Sequence, residues 1–171
     1  GLIAFTDRIE KFVPPRKGLS HVLRIIREAL YFGPEGKATD IPGALEYLGR
    51  VTNRSTVTFT VSDFYDGDYK KPLSIAGKRH DIVAISITDP RETELPDIGI
   101  INLEDPETGR NFLLDTSSAA VRKNYSANSL KMLDERRQLF RSINIDHIDI
   151  RTDVSYTREL YKFFRMREKR I

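Results

Sequence analysis

The chain has 171 residues, among them no cysteine, no tryptophan and only two methionines. Without cysteine there can be no disulfide framework, no thiol nucleophile and no zinc–thiolate centre, and the composition fits a reducing, cytoplasmic setting. Long apolar runs are lacking too. The longest, Ile82–Ile87, is interrupted by Ser86 and is far too short to span a bilayer. No stretch has the pattern of a signal peptide. A charge of one sign is also missing: 28 basic against 25 acidic side chains give a net +3. That balance describes an ordinary soluble surface and weakens any case for nucleic-acid binding. The three histidines, His21, His80 and His147, fall in separate elements, so no metal or catalytic cluster is written in their spacing, and each reads as a surface or capping residue. The chain opens on "GLIAF" rather than methionine and reads as cut from something longer, which leaves room for a membrane anchor upstream in a parent protein.

What is present is a regular alternation of elements. Leu2–Phe5 and Ile9–Val13 read as two short strands around a Thr6–Arg8 turn, a hairpin that "VPPRKG" ends because its prolines cannot donate to a ladder. Ser20 reads as the N-cap of a helix with Val22, Leu23, Ile26, Leu30 and Tyr31 on its apolar stripe. After the loop "FGPEGKATD", Asp40 and Pro42 mark the start of a second helix carrying Ile41, Leu45 and Leu48. Thr56–Ser62 alternates valine and phenylalanine with threonine, a strand pattern, and Tyr69–Gly77 is a weaker helix candidate. Asp81–Ile87 is apolar almost throughout, as a strand buried on both faces would be. Ile98–Leu103 and Asn111–Leu114 flank "EDPETGR", a hairpin signature. A long helical region follows over Ser117–Ile143, with a break expected near Asn128, then a strand at His147–Arg151 and a closing helix at Tyr156–Lys169. This order predicts an α/β fold with a doubly wound, mostly parallel sheet and helices on both faces.

Few motifs survive comparison with their plainer readings. "GPEGKAT" glances at a phosphate loop, but only two residues separate its glycines and it follows a helix rather than a strand. "NRS" and "NYS" match the glycosylation triplet without secretory context. The basic tail "RELYKFFRMREKR" reads as a closing amphipathic helix with a solvated face. The acidic stretch "DPRETELPD" has no fixed partner for general acid–base work. Thr39 and Asp63 remain. A small-residue loop delivers Thr39 just before a helix, and the next strand delivers Asp63 at its carboxyl end, the edge of an α/β sheet where ligands bind. If those elements are neighbours, a hydroxyl and a carboxylate meet at one rim, a set of hard oxygen donors suited to Mg²⁺.

The segments "GLIAFTDRIEKFVPPRKGLSHVLRIIREAL", "ATDIPGALEYL", "TVTFTVSDF" and "DIVAISITDPRETELPDIGIINLEDPETG" resemble the bacterial family called domain of unknown function 58, within the von Willebrand factor A-like superfamily. The resemblance runs in order over nearly the whole chain. It implies one von Willebrand factor A-like domain fragment spanning 1–171, with an inserted hairpin near 97–114. It further implies a metal-ion-dependent adhesion site built from an Asp-x-Ser-x-Ser segment, a threonine and an aspartate. Thr39 matches the second piece and Asp63 the third, whereas no Asp-x-Ser-x-Ser precedes Thr39. The strand bearing that segment would lie between the strands at 2–5 and 56–62. Without it, Mg²⁺ binding is expected to be weak or absent here, although the intact parent could hold the ion. Two inner strand edges are expected either to close on each other or to pair in a homodimer.

By resemblance the function is that of a non-enzymatic protein-interaction domain. It would work with a MoxR-type AAA+ ATPase in assembly or chaperone-like roles. The rival reading is a metal-dependent hydrolase of phosphoesters, with Asp63 and Asp89 holding the ion and Asp66 or Asp68 assisting. No nucleophile–base pair or phosphate-steadying cation is placed by motif to support it.

Overall fold

The computed structural model describes residues 1–65, 68–104 and 109–169. The opening hairpin forms as expected: β1 (Leu2–Phe5) pairs antiparallel with β2 (Ile9–Val13). Helix α1 (Leu19–Leu30) begins two residues earlier than expected. Its N-cap is Gly18, at φ 101°, rather than Ser20, because the chain leaving "VPPRKG" turns through a left-handed conformation that glycine adopts without strain. Helix α2 (Ile41–Val51) starts as the sequence indicates, with the Asp40 carboxylate accepting from the Gly43 N–H at 2.9 Å.

Strand β3 (Val57–Ser62), helix α3 (Lys70–Arg79) and strand β4 (Asp81–Thr88) follow, then a 3₁₀ turn at Pro90–Glu92. A second hairpin, β5 (Ile100–Glu104) with β6 (Asn111–Asp115), precedes α4 (Ala119–Ser142), β7 (Asp146–Arg151) and α5 (Thr157–Glu168). Helix α4 runs unbroken through Asn128, capped by the Ser118 hydroxyl. An asparagine with no proline or glycine beside it costs a helix too little to interrupt one that buries Arg136 and Phe140 at its far end.

The central sheet is three parallel strands in the order β3–β4–β7, flanked by helices, an arrangement compatible with a doubly wound α/β fold. On one face, α2, α3 and the end of α4 enclose Leu45, Leu73, Ile82, Ala84 and Phe140. On the other, Phe163 of α5 covers Val83 and Ile148. Strand β4 is therefore buried on both faces, as its unbroken apolar run predicts.

Strand β3 is oriented contrary to its pattern. Its register, Thr58 against Ile82 and Thr60 against Ala84, puts the threonines on the principal core face. Val57, Phe59 and Val61 are exposed on the α5 face, where the Phe59 ring meets that of Phe164 at 6.3 Å. The strand edges do not close on each other. Among the described residues β1 pairs only with β2 and β3 only with β4, so the hairpin and the parallel sheet form separate sheets. No helix among the described residues is long and apolar enough to cross a membrane.

Candidate functional site

Between the two separate sheets lies a cavity of about 740 Å³. One wall is β1 with Thr6 just after it, the opposite wall is β3 with Asp63 just after it, and the apolar side of α2 contributes Ile41, Ala44, Leu45 and Leu48. Among the described residues each facing strand has a ladder partner on one side only, so both walls present main-chain donors and acceptors without a ladder partner. Thr39 and Asp63 line this same cavity. The two residues singled out from the sequence are thus brought to one groove, Thr39 half-buried and Asp63 exposed.

The loop that carries Thr39 is held by the first hairpin. The Glu10 carboxylate accepts from the Thr6 hydroxyl at 2.6 Å, the Gly36 N–H at 2.7 Å and the Glu35 N–H at 3.0 Å. Those hydrogen bonds, Thr6 first, pull the Glu10 pKa down to about 2. One residue after Thr39, the Asp40 N–H donates to the Thr6 carbonyl at 2.8 Å. Gly36 fits here because a Cβ would stand 2.3 Å from the Thr6 hydroxyl oxygen and 2.2 Å from an Asp7 carboxylate oxygen. The glycines of "GPEGKAT" therefore do not cradle a phosphate; one of them permits a close main-chain approach.

Asp63 is placed by a tight turn at the end of β3. Its carboxylate accepts from the Ser62 hydroxyl at 3.3 Å and the Tyr65 N–H at 3.4 Å, and Phe64 takes a left-handed φ of 55°. The Phe64 ring is anchored edge-on against Phe140, centroids 5.1 Å apart, and the Tyr69 hydroxyl donates to the Phe64 carbonyl at 3.1 Å. On the side of the turn away from the groove, the Arg136 guanidinium donates to the Asp63 carbonyl. Beside it, burial and the Glu92 carboxylate push the Tyr65 hydroxyl up to about 12.

The donors proposed for a hydrolase are dispersed. Asp89 spends its carboxylate on the Arg91 N–H at 2.9 Å and the Thr152 hydroxyl at 2.8 Å, which lower its pKa and cap the 3₁₀ turn. Asp66 lies outside the described residues, and Asp68 is exposed. His21 is buried on α1 rather than on the surface, whereas His80 takes the C-cap position of α3, as a capping residue would, and is buried there. Among the described residues no three acidic or histidine side chains come together to hold a metal ion. Glu10 and Arg136 went unnoticed in the sequence: each acts through contacts 26 and 73 positions away, which no local spacing encodes.

The family described as "Protein of unknown function DUF58" matches residues 1–135. An uncharacterized protein of Mycobacterium avium is 29% identical over 162 residues, covering 92% of this chain and 94% of its own. Uncharacterized proteins of Mycobacterium bovis and Mycobacterium tuberculosis are each 28% identical over 162 residues, again 92% of this chain but 50% of theirs. The chain spans about half the length of those two relatives. No solved structure matches it.

Proposed function

This chain belongs to the DUF58 family of proteins of unknown function, and on that premise we propose that it is a non-enzymatic protein-interaction domain of von Willebrand factor A-like architecture. The groove between β1 and β3 is its binding feature, and Thr39 and Asp63 are two pieces of a metal-ion-dependent adhesion site. The observation that carries the reading is that both residues line one cavity whose walls are two unpaired strand edges. Such edges recognise extended polypeptide through main-chain hydrogen bonds, and side-chain pockets between them add specificity. The floor of Ile41, Leu45 and Leu48 favours a strand with apolar residues on that face. By family resemblance, the strand bearing Asp-x-Ser-x-Ser takes that place in the sheet.

A hydroxyl and a carboxylate are hard oxygen donors of the kind Mg²⁺ takes, but two of them leave most of an octahedral shell to water or to a partner. Magnesium binding by this chain is therefore weak or absent. Thr39 and Asp63 would be the residues of this chain that hold the ion, and the ion would supply an electrostatic contact for an acidic side chain of the partner, so recognition would need no proton transfer. The partner proposed by resemblance is a MoxR-type AAA+ ATPase in the cytoplasm, engaged in assembly or chaperone-like work.

Calorimetric titration tests both halves. Mg²⁺ titrated into the chain should give no binding tighter than millimolar, and a purified MoxR-type ATPase should bind the chain and lose affinity to the Thr39→Ala and Asp63→Asn variants. Micromolar Mg²⁺ binding would overturn the first half. ATPase binding indifferent to both variants, or Mg²⁺-dependent phosphoesterase turnover abolished by Asp63→Asn, would overturn the second.

A further inference from the structure

The carboxyl end of β3 is governed by a side chain far along the polypeptide. Arg136 on α4 is only 7% exposed, and its Nη1 donates to the main-chain carbonyl of Asp63. Its Nη2 lies 3.4 Å from the hydroxyl of Thr88, the buried last residue of β4, and the guanidinium carbon stands 6.0 Å from the centroid of the Tyr65 ring. One planar cation thus ties the ends of two parallel strands together. None of the ion pairs among the described residues involves it.

A buried cation whose partners are one carbonyl and one hydroxyl, with Nε buried and without a partner, is costly beside an apolar residue of equal volume, so packing alone does not account for it. The turn it grips supplies a reason. Phe64, directly after Asp63, holds a left-handed backbone that non-glycine residues avoid, and a charge-assisted hydrogen bond to the preceding carbonyl offsets that strain. The Phe64 ring is separately fixed by Phe140 and Tyr69, so loss of the guanidinium frees the Asp63 peptide while leaving the aromatic cluster in place.

We propose that Arg136 is the positioning residue for Asp63: by fixing the Asp63 peptide plane from behind, it sets where the carboxylate stands in the groove. The proposal rests on the reading of Asp63 as a binding residue only for its functional consequence, since the geometry it asserts concerns the turn itself.

The test compares the full chain with Arg136→Met, which keeps the apolar stem without the charge, and Arg136→Lys. Arg136→Met should displace the Asp63 carbonyl carbon resonance and speed amide exchange at Phe64 and Tyr65 by about tenfold or more, beyond any change at the β7 amides. It should also reduce Mn²⁺-induced line broadening at Asp63 more than at Thr39. Arg136→Lys should restore part of each effect, because an ammonium reaches one acceptor but not both in a plane. An Arg136→Met chain that merely melts earlier, with the Asp63 resonance unmoved and exchange raised uniformly, overturns the proposal. If that variant does not fold, an Arg136→Lys chain with a wild-type Asp63 resonance and exchange at Phe64 overturns it equally, and displacement confined to the turn supports it. Mn²⁺ broadening centred away from both Thr39 and Asp63 in the unaltered chain would sink the metal-site reading, whereas its absence accords with the weak or absent binding expected of this chain; in either case the carbonyl resonance decides the role of Arg136.

Discussion

The Gly36 N–H donates to the Glu10 carboxylate across 2.7 Å, joining the second strand to the loop that delivers Thr39. Because Glu10 is held near a pKa of about 2, against an ordinary 4.5, its contribution to folding is complete above pH 4.5 and is lost as the pH falls through 2. The Glu10 carboxyl carbon should therefore titrate near pH 2 by NMR, with amide exchange at Glu35 and Gly36 rising over the same window. In Glu10→Ala that loop protection should be missing already at pH 7. A Glu10 midpoint at an ordinary carboxylate value would show the latch to be unoccupied in solution.

Gly36 and Gly33, in the same loop, should respond in opposite ways to alanine. A Cβ on Gly36 meets Thr6 and Asp7 side-chain atoms well inside contact distance, whereas one on Gly33 meets nothing within 4 Å. Gly36→Ala should cost about 1–3 kcal/mol, the range for an overpacked site. Gly33→Ala should be neutral or stabilising by about 0.5 kcal/mol, since it restricts the unfolded chain. Urea midpoints of the two variants check this; equal values would mean that the loop does not rest on the hairpin.

Phe140 should be the costliest single truncation. It is fully buried, its ring meets those of Phe64, Tyr69 and His147, and it lies where α4 closes over the sheet. Phe140→Ala should lose about 3–5 kcal/mol in chemical denaturation. Leu130→Ala on the same helix, at an exposed position, should lose less than about 0.5 kcal/mol. The contrast matters because both residues belong to the apolar series that marks α4 in the sequence, and only the fold separates them.

The sequence displays the elements clearly because most carry their own period. β4 is apolar on both faces and α2 has Asp40 and Pro42 at its start, so each announces itself locally. β3 shows where this stops. Its alternation identifies a strand but not which face meets the core, and the threonine face turns inward because register with β4 dictates it. The candidate site was legible to the same degree. Thr39 and Asp63 stand at element ends that a reader can find, whereas Glu10 and Arg136 are polar residues inside a strand and a helix whose partners are set by tertiary approach.

His80 should make the fold weaken in mild acid. It caps α3 beneath the sheet, its Nδ1 lies 3.1 Å from the Thr56 hydroxyl, and its Nε2 is buried without a partner. Burial, reinforced by the neighbouring Arg79, lowers its pKa from the ordinary 6.5, so the folded state resists a proton that the unfolded chain accepts. Stability from this source is thus complete above pH 6.5 and declines as the pH drops below it. His147 is lowered by burial too, with Asp149 opposing, and adds to the same window. Denaturation midpoints of the parent chain should fall between pH 7 and 5, and His80→Gln, which cannot take up the proton, should flatten that fall, with His147→Gln flattening what is left. A slope unchanged in both variants would place the acid sensitivity among the carboxylates, where it should appear only nearer pH 4.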